Sequence, residues 1–309
     1  MTAAPAQTGG SDRAVANLLH NAAWAAVGTA GFLVLLKAVA YIVTDSIAMM
    51  ASLADSGLDL VASSINLLAI RHALEPADRE HRFGHGKAEP LAGLAQGAFI
   101  AGSATFLIVE SLSRLVSPRP VEHAAVGLLI VAVSIVAVLV LVMVQRIAVK
   151  RTGSLAVGAD LVHYLGDLCT NLGVVVGIVF SAMFGWLIAD PIVGLVIAAI
   201  LAAGAWHVFH KSYDQLMDRE LPEEARARIK TIAMRHAEVL NLHDLRTRAA
   251  GMSTFIQMHI ELDPAIGLSR AHEVSDAVEA DILAAFPSAE VIIHQDPAGV
   301  ERPTPLARS

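Results

Sequence analysis

Cysteine is nearly absent from this chain of 309 residues: Cys169 stands alone. That excludes a disulfide framework and any zinc ribbon built on thiolates. Charge is sparse too, with Asp, Glu, Lys and Arg at 17%, against about 25% in an average soluble domain. Basic excess is missing: the formal net charge is −7 and the pI ≈ 6.0, which leaves no electrostatic footprint for nucleic acid. The N-terminus, MTAAPAQTGGSDRAVANLLHN, lacks a basic segment ahead of an apolar one. It reads as a disordered tail over residues 1–19, not as a cleaved signal peptide.

What the chain has in abundance is apolar surface. Hydrophobic residues make up 55% and the mean hydropathy is +0.59. A soluble globule of that composition would run short of polar side chains for its surface, so membrane insertion is the first reading. The charge is unevenly placed: residues 211–309 hold 27 of the 51 charged side chains. The protein therefore divides into an apolar two-thirds and a soluble final third, long enough for a small core of its own. A domain at 20–210, a second at 211–297 and a tail at 298–309 follow.

A span needs about 20 mostly apolar residues. Such stretches fall at 20–43, 46–70, 90–114, 122–145, 156–184 and 187–208. The fourth carries no charge. The fifth and sixth run together apart from a Phe184-Gly185-Trp186 break and Asp190-Pro191. The second is weakened by Asp55 and Asp59, and the fifth carries Asp160, His163 and Asp167. Lys and Arg gather in the second-to-third connection (Arg71, Arg79, Arg82, Lys87) and the fourth-to-fifth (Arg146, Lys150, Arg151), with fewer in the third-to-fourth (Arg114, Arg119). The first-to-second and fifth-to-sixth connections have none. The positive-inside rule then puts both termini in the cytoplasm.

The final third reads α-β-β-α-β. Helices are expected at 222–238 and 269–286, the second opened by a Ser269 cap, with strands at 243–248, 254–262 and a short buried one at 290–295. This is a ferredoxin-like arrangement lacking its first strand. The fold class is thus a six-helix membrane protein with a C-terminal α+β domain, whose spare sheet face makes dimerisation an expectation.

Ionisable groups inside a span cost roughly 2.5–3.5 kcal/mol each. Asp55 and Asp59 are four apart, as are His163 and Asp167, so a helix stacks each pair on one face. Two such pairs supply four N/O ligands, the tetrahedral number for a divalent ion such as Zn²⁺. Asp160 is either a supporting group or a crevice lining. Lys37 and Glu110 snorkel or pair locally, and Asp190 opens the sixth helix. Gly57 and Gly166 leave room for close helix approach. The second-to-third loop holds Asp78, His81 and His85 within eight residues, between glycines that let the backbone wrap. The final third holds His236, His243, His259, His272 and His294, then Asp296. His294 and Asp296 form a ligand-type pair at the end of a strand.

Taken together, ADSGLD, HRFGHGKAE, HYLGD, HDLRTR, IQMHIELD and VIIHQDP resemble the cation diffusion facilitator family, and within it the bacterial zinc and ferrous-iron efflux branch. The resemblance covers roughly residues 20–298. It implies a homodimeric divalent metal/proton antiporter of the bacterial inner membrane, with three metal sites and no organic cofactor. Asp55, Asp59, His163 and Asp167 match the transport site. Asp78, His81 and His85 match a loop site. His243, His259, His272, His294 and Asp296 match a dinuclear cytoplasmic site, with Asp296 in the bridging position. Lys87 and Asp218 match a charged contact between the protomers. His20, His72, His123, His207, His210 and His236 match nothing and default to surface or interfacial roles. Zn²⁺ is the expected cargo and ligand, with Fe²⁺, Cd²⁺ and Mn²⁺ as alternatives, exchanged for protons by alternating access. Two other classes fit the residues alone: an intramembrane zinc hydrolase, which lacks its H-E-x-x-H and an open ligand position, and a membrane protein that binds metal without moving it.

Overall fold

The computed structural model describes residues 11–44, 47–116, 124–184 and 188–300. Residues 1–10, the 185–186 break, His123 and the end of the tail from 301 lie outside them. Six long helices come first: α1 (Ser11–Thr44), α2 (Ile47–Ala73), α3 (Ala88–Val116), α4 (Ala124–Thr152), α5 (Leu155–Phe184) and α6 (Ala189–Leu216). Five of them contain stretches long and apolar enough to cross a membrane, with mean hydropathy from 1.4 in α2 to 3.2 in α4. α5 is 30 residues long and carries Asp160, His163 and Asp167. Most helices outrun the expected apolar core: α1 starts at Ser11 and not near residue 20, and α3, α4 and α6 continue past their apolar stretches. Hydropathy marks the part that meets lipid, whereas the backbone ladder continues into polar residues until something stops it.

At the α4–α5 corner the stop is explicit. Gly153 takes φ +67 and its N–H donates to Val149 O at 2.8 Å, the left-handed closure that glycine favours. Ser154 then caps α5, its Oγ accepting from Val157 N at 3.3 Å. A buried carboxylate completes the corner. Glu89, from the first turn of α3, accepts from Ser154 Oγ at 2.8 Å and from Leu155 N at 3.2 Å. An acidic group at a helix N-terminus is favourably placed, and this one ties α3 to α5.

α5 belongs to two packed clusters. Tyr164 meets Ala26 and Leu33 of α1 and Val138, Leu141 and Val142 of α4. Val162 and Cys169 pack with Ile100 and Ala104 of α3 and Ile197, Leu201 and Ala205 of α6. Gly166 is needed for this closeness, because a Cβ there would collide with Leu201. Gly57 is different: a Cβ there would meet open space, so the expected close approach at α2 does not occur.

The compact units are residues 1–213 and 214–309. The second has the order α7 (Glu223–Ala233), β1 (Asn241–Ala250), β2 (Ser253–Leu262), α8 (Leu268–Ala285), β3 (Ala289–Pro297). The expected α-β-β-α-β order is thus present. β2 is central, antiparallel to β1 and parallel to β3. Ile256, Met258, Ile260 and Leu262 alternate along β2 and meet Ile229, Ile232, Val274, Val278 and Ile282 of the two helices. The odd-numbered residues Gln257, His259 and Glu261 therefore share the face away from the helices.

Three local expectations need correction. α7 ends at Ala233 instead of near 238, giving way to turns. Gly267, in an extended conformation, is the N-cap of α8, and Ser269 lies inside its first turn. β3 is not a buried strand: Val291 and Asp296 are its only buried residues, since it occupies a sheet edge.

Glu89→Ala should leave the Leu155 N–H and the Ser154 hydroxyl without their acceptor. The expected cost is about 1–3 kcal/mol, read as a lower thermal unfolding midpoint of the detergent-purified protein, with Glu89→Gln in between. An unchanged midpoint would show that the cap contributes nothing.

Candidate metal centres

Inside the helical unit, α2 and α5 bring Asp59, His163 and Asp167 together, each offering a ligand atom within 4.8 Å of the others. His163 Nε2 lies 3.0 Å from Asp59 Oδ1 and 3.8 Å from Asp167 Oδ2. His163 is buried and Asp167 partly open. In the shorter contact the ring nitrogen and the carboxylate share one hydrogen bond. Asp55, one turn before Asp59, lies outside this tight set but within electrostatic range of Asp59 and His163.

The surroundings are polar and organised. Lys37 of α1 donates from Nζ to Ser56 Oγ at 2.6 Å and Ser52 O at 3.3 Å, which brings a cation to the α2 face bearing the aspartates. Sequence reasoning left it snorkelling or paired locally; apolar neighbours on both sides hide which helix it reaches. Glu110 does pair locally, with Arg114 at 2.8 Å. Asp160 accepts from Gln145 Nε2 of α4 at 2.6 Å, a supporting position. Ser63 Oγ and Tyr164 OH are 2.8 Å apart and buried, joining α2 to α5 one turn beyond the trio.

The α2–α3 loop gathers Asp78, His81 and His85 within the same 4.8 Å limit. Asp78 Oδ1 accepts from the backbone N–H of His81 at 2.6 Å and of Glu80 at 2.8 Å. These bonds, His81's foremost, hold its carboxyl below the ordinary carboxylate range. The ligand charge is therefore present at any neutral pH.

On the sheet, register does the gathering. His243 pairs with His259 and His259 with His294, one residue from each strand in a row. Two residues on, Glu261 pairs with Asp296, and the period of two keeps both rows on the open face. Asp296, itself buried, has Oδ2 2.8 Å from His259 Nδ1 and 3.3 Å from His243 Nε2, and Oδ1 3.1 Å from His294 Nε2. Its carboxylate thus faces three imidazoles from both of its oxygens. His243 Nε2 is buried with no hydrogen-bond partner among the described residues, the condition of a ligand whose cation belongs between it and Asp296. This donor set fits a divalent metal. A bulge between His243 and Arg246, with Asp244 at φ 47, places His243 in the row while returning Leu245 to the core side. Glu261 Oε1, 3.7 Å from His243 Nε2, is a group that sequence reasoning missed; the period-two step from His259 was the available signal. His272 is elsewhere, exposed on α8 with Asp276 at 3.6 Å.

Asp218, at φ 54, accepts from Arg248 Nη1 at 3.2 Å. Lys87 stands at the end of the loop, immediately before α3.

The family model described as the cation efflux transmembrane domain matches residues 23–217, and that of the cation efflux protein cytoplasmic domain matches 221–298. Among curated relatives, the cation-efflux pump FieF of Shewanella oneidensis is 48% identical over 280 residues, 91% of this chain and 94% of its own. FieF of Klebsiella pneumoniae is 43% identical over 283 residues, 92% of this chain and 94% of its own. The solved zinc form of CzrB is 31% identical over 28% of this chain and 98% of its own, with a TM-score of 0.26. Matched in both units and over nine-tenths of its length, the chain belongs to the cation efflux, or cation diffusion facilitator, family.

Proposed function

We propose that this protein is a homodimeric efflux transporter of the bacterial inner membrane that exchanges a divalent metal cation, Zn²⁺ first, for protons. The family is one of transporters and not of enzymes, which sets aside the hydrolase reading. The observation that carries the proposal is the contact of His163 Nε2 with Asp59 at 3.0 Å and Asp167 at 3.8 Å. The nitrogen that would offer the cation its lone pair shares a hydrogen bond with Asp59, so a bound cation takes the place of the proton between them.

Asp55, Asp59, His163 and Asp167 form the transport site in this reading. With all three carboxylates ionised and His163 neutral the empty site carries −3, and such crowded like charges hold on to protons. A bound M²⁺ expels them, rocking of the helices moves the opening, and protons on the far side displace the metal. One nitrogen and three oxygens accept Zn²⁺, Fe²⁺, Cd²⁺ and Mn²⁺, and the Irving–Williams order places zinc above iron and manganese. The C-terminal part, residues 211–297, lies in the cytoplasm with the N-terminus, a placement that the loop charges support. There His243, His259, His272, His294 and Asp296 hold regulatory metal, with Asp296 bridging. Loading this cluster draws the protomers together and favours the transport-competent state. Lys87 and Asp218 join the protomers near the inner membrane surface.

Three measurements check this. In proteoliposomes with an internal pH dye, Zn²⁺ efflux should bring a counter-movement of protons, and zinc affinity should rise about tenfold per pH unit for each proton released. Asp59→Ala should abolish both signals; metal flux indifferent to the pH gradient would replace antiport by facilitated diffusion. Asp296→Ala should lower bound zinc by up to two ions per protomer in equilibrium dialysis while transport slows but survives, and an unchanged stoichiometry would remove the cytoplasmic site. Lys87→Asp should impair transport and Lys87→Asp with Asp218→Lys restore it; a double variant as impaired as the single one would show that the two are not partners.

A further inference from the structure

We propose that the α2–α3 loop holds a second cation position, formed by His72, Glu75 and His85, which shares His85 with the Asp78–His81–His85 position. This rests on the reading of the loop as a metal site and adds two ligands from the end of α2 and the turn after it. His72, Glu75 and His85 each offer a ligand atom within 4.8 Å of the others, the same closeness as the neighbouring trio. His72 Nδ1 lies 2.9 Å from Glu75 Oε2. An exposed His–Glu pair at a helix end is ordinarily a weak ion pair and requires no third group. Here a third group is built in. His85 is buried, at 7% exposure, and its ring is held between those of His72 and His81, with centroids 4.4 and 4.6 Å away.

The two nitrogens of His85 look in different directions. Nε2 faces His81 Nδ1 at 3.1 Å and Asp78 Oδ2 at 3.5 Å. Nδ1 faces the backbone carbonyl of Glu75 at 3.4 Å. The loop is therefore a chain of five groups, carboxylate and imidazole on either side of one central ring. Two imidazoles and a carboxylate suit a divalent transition cation such as Zn²⁺, with water completing the shell. A neutral imidazole has one lone pair, so His85 serves one ion at a time. The two positions are alternative stops for a single cation. The His72–Glu75 stop lies at the last turn of α2, where the helix C-terminus also favours positive charge. A cation that moves from there to Asp78 and His81 leaves one ring nitrogen of His85 for the other, and the ring proton moves the opposite way through solvent.

The test uses the full-length protein, otherwise native, with Zn²⁺ as probe and equilibrium dialysis at saturating metal. Asp78→Asn with His81→Gln should keep the parent's full complement of zinc, the loop ion binding about 10–100-fold more weakly. Adding His72→Gln and Glu75→Gln should remove one ion per protomer, as should His85→Gln alone. Loss of that ion already in the Asp78→Asn/His81→Gln protein overturns the second position, and so does its survival in the quadruple variant. Parent stoichiometry in His85→Gln would show that the loop binds no ion, which overturns the loop reading itself. Where the quadruple variant aggregates, His81→Gln compared with His72→Gln/His81→Gln asks the same question with two changes: retention then loss supports the position, and any other pattern overturns it.

Discussion

A carboxylate placed inside a lipid-spanning helix must find a partner or a cation, because the surrounding medium offers neither water nor counterion. Asp59 and His163 meet that demand across the α2–α5 contact at 3.0 Å. Much of the helical unit serves to keep them there. Tyr164, next to His163, is buried among α1 and α4 side chains and reaches Ser63 on α2. Gly166 lets α6 come close behind. Gln145 of α4 donates to Asp160, one turn before His163 on α5. Each of these contacts fixes the rotation of α5 about its axis, and rotation is what decides whether His163 and Asp167 face α2.

The C-terminal unit solves a similar problem by other means. It has no low-dielectric surroundings to concentrate charge, so it relies on strand register. Three histidines in one row and Glu261 with Asp296 in the next are a consequence of pairing, and the bulge at Asp244 is what lets β1 contribute His243 without turning Leu245 out of the core. A sheet presents ligands at fixed spacing without needing any of them to be buried beforehand.

Periodicity accounts for how much was legible beforehand. Asp55 and Asp59, and His163 and Asp167, announce themselves because charge is conspicuous in an apolar run and a spacing of four has one meaning on a helix. Glu261, two residues beyond His259 on a strand, carries the same kind of signal but stands in a polar segment where charge is not conspicuous. What periodicity cannot supply is partnership between elements distant in sequence. Nothing near Lys37 says that it reaches Ser56, and nothing near Glu89 says that it caps α5, 66 residues later. His272 shows the converse case: its residue type fits the row of ligands, while within one chain α8 carries it on an exposed surface. Helix ends were misjudged where hydropathy stood in for backbone geometry, as at Ser11 and at Gly267.

Glu89 also bears on how the loop and the membrane site communicate. α2 carries Asp59 in its middle and His72 in its last turn. The loop then runs through His81 and His85, and Glu89 follows in the first turn of α3. From there its carboxylate grips the start of α5 at Ser154 and Leu155, two turns before His163. In the proposed reading, a cation held at His85 would act on the end of α2 and on the start of α3 at once. Both ends lead to the helices that carry Asp59, His163 and Asp167, one along the α2 backbone and one through a buried hydrogen-bonded carboxylate. A rigid, short connection of this kind transmits sub-ångström shifts because close-packed helices do not deform gradually. The loop is thereby connected to both sides of the α2–α5 contact that joins Asp59 to His163.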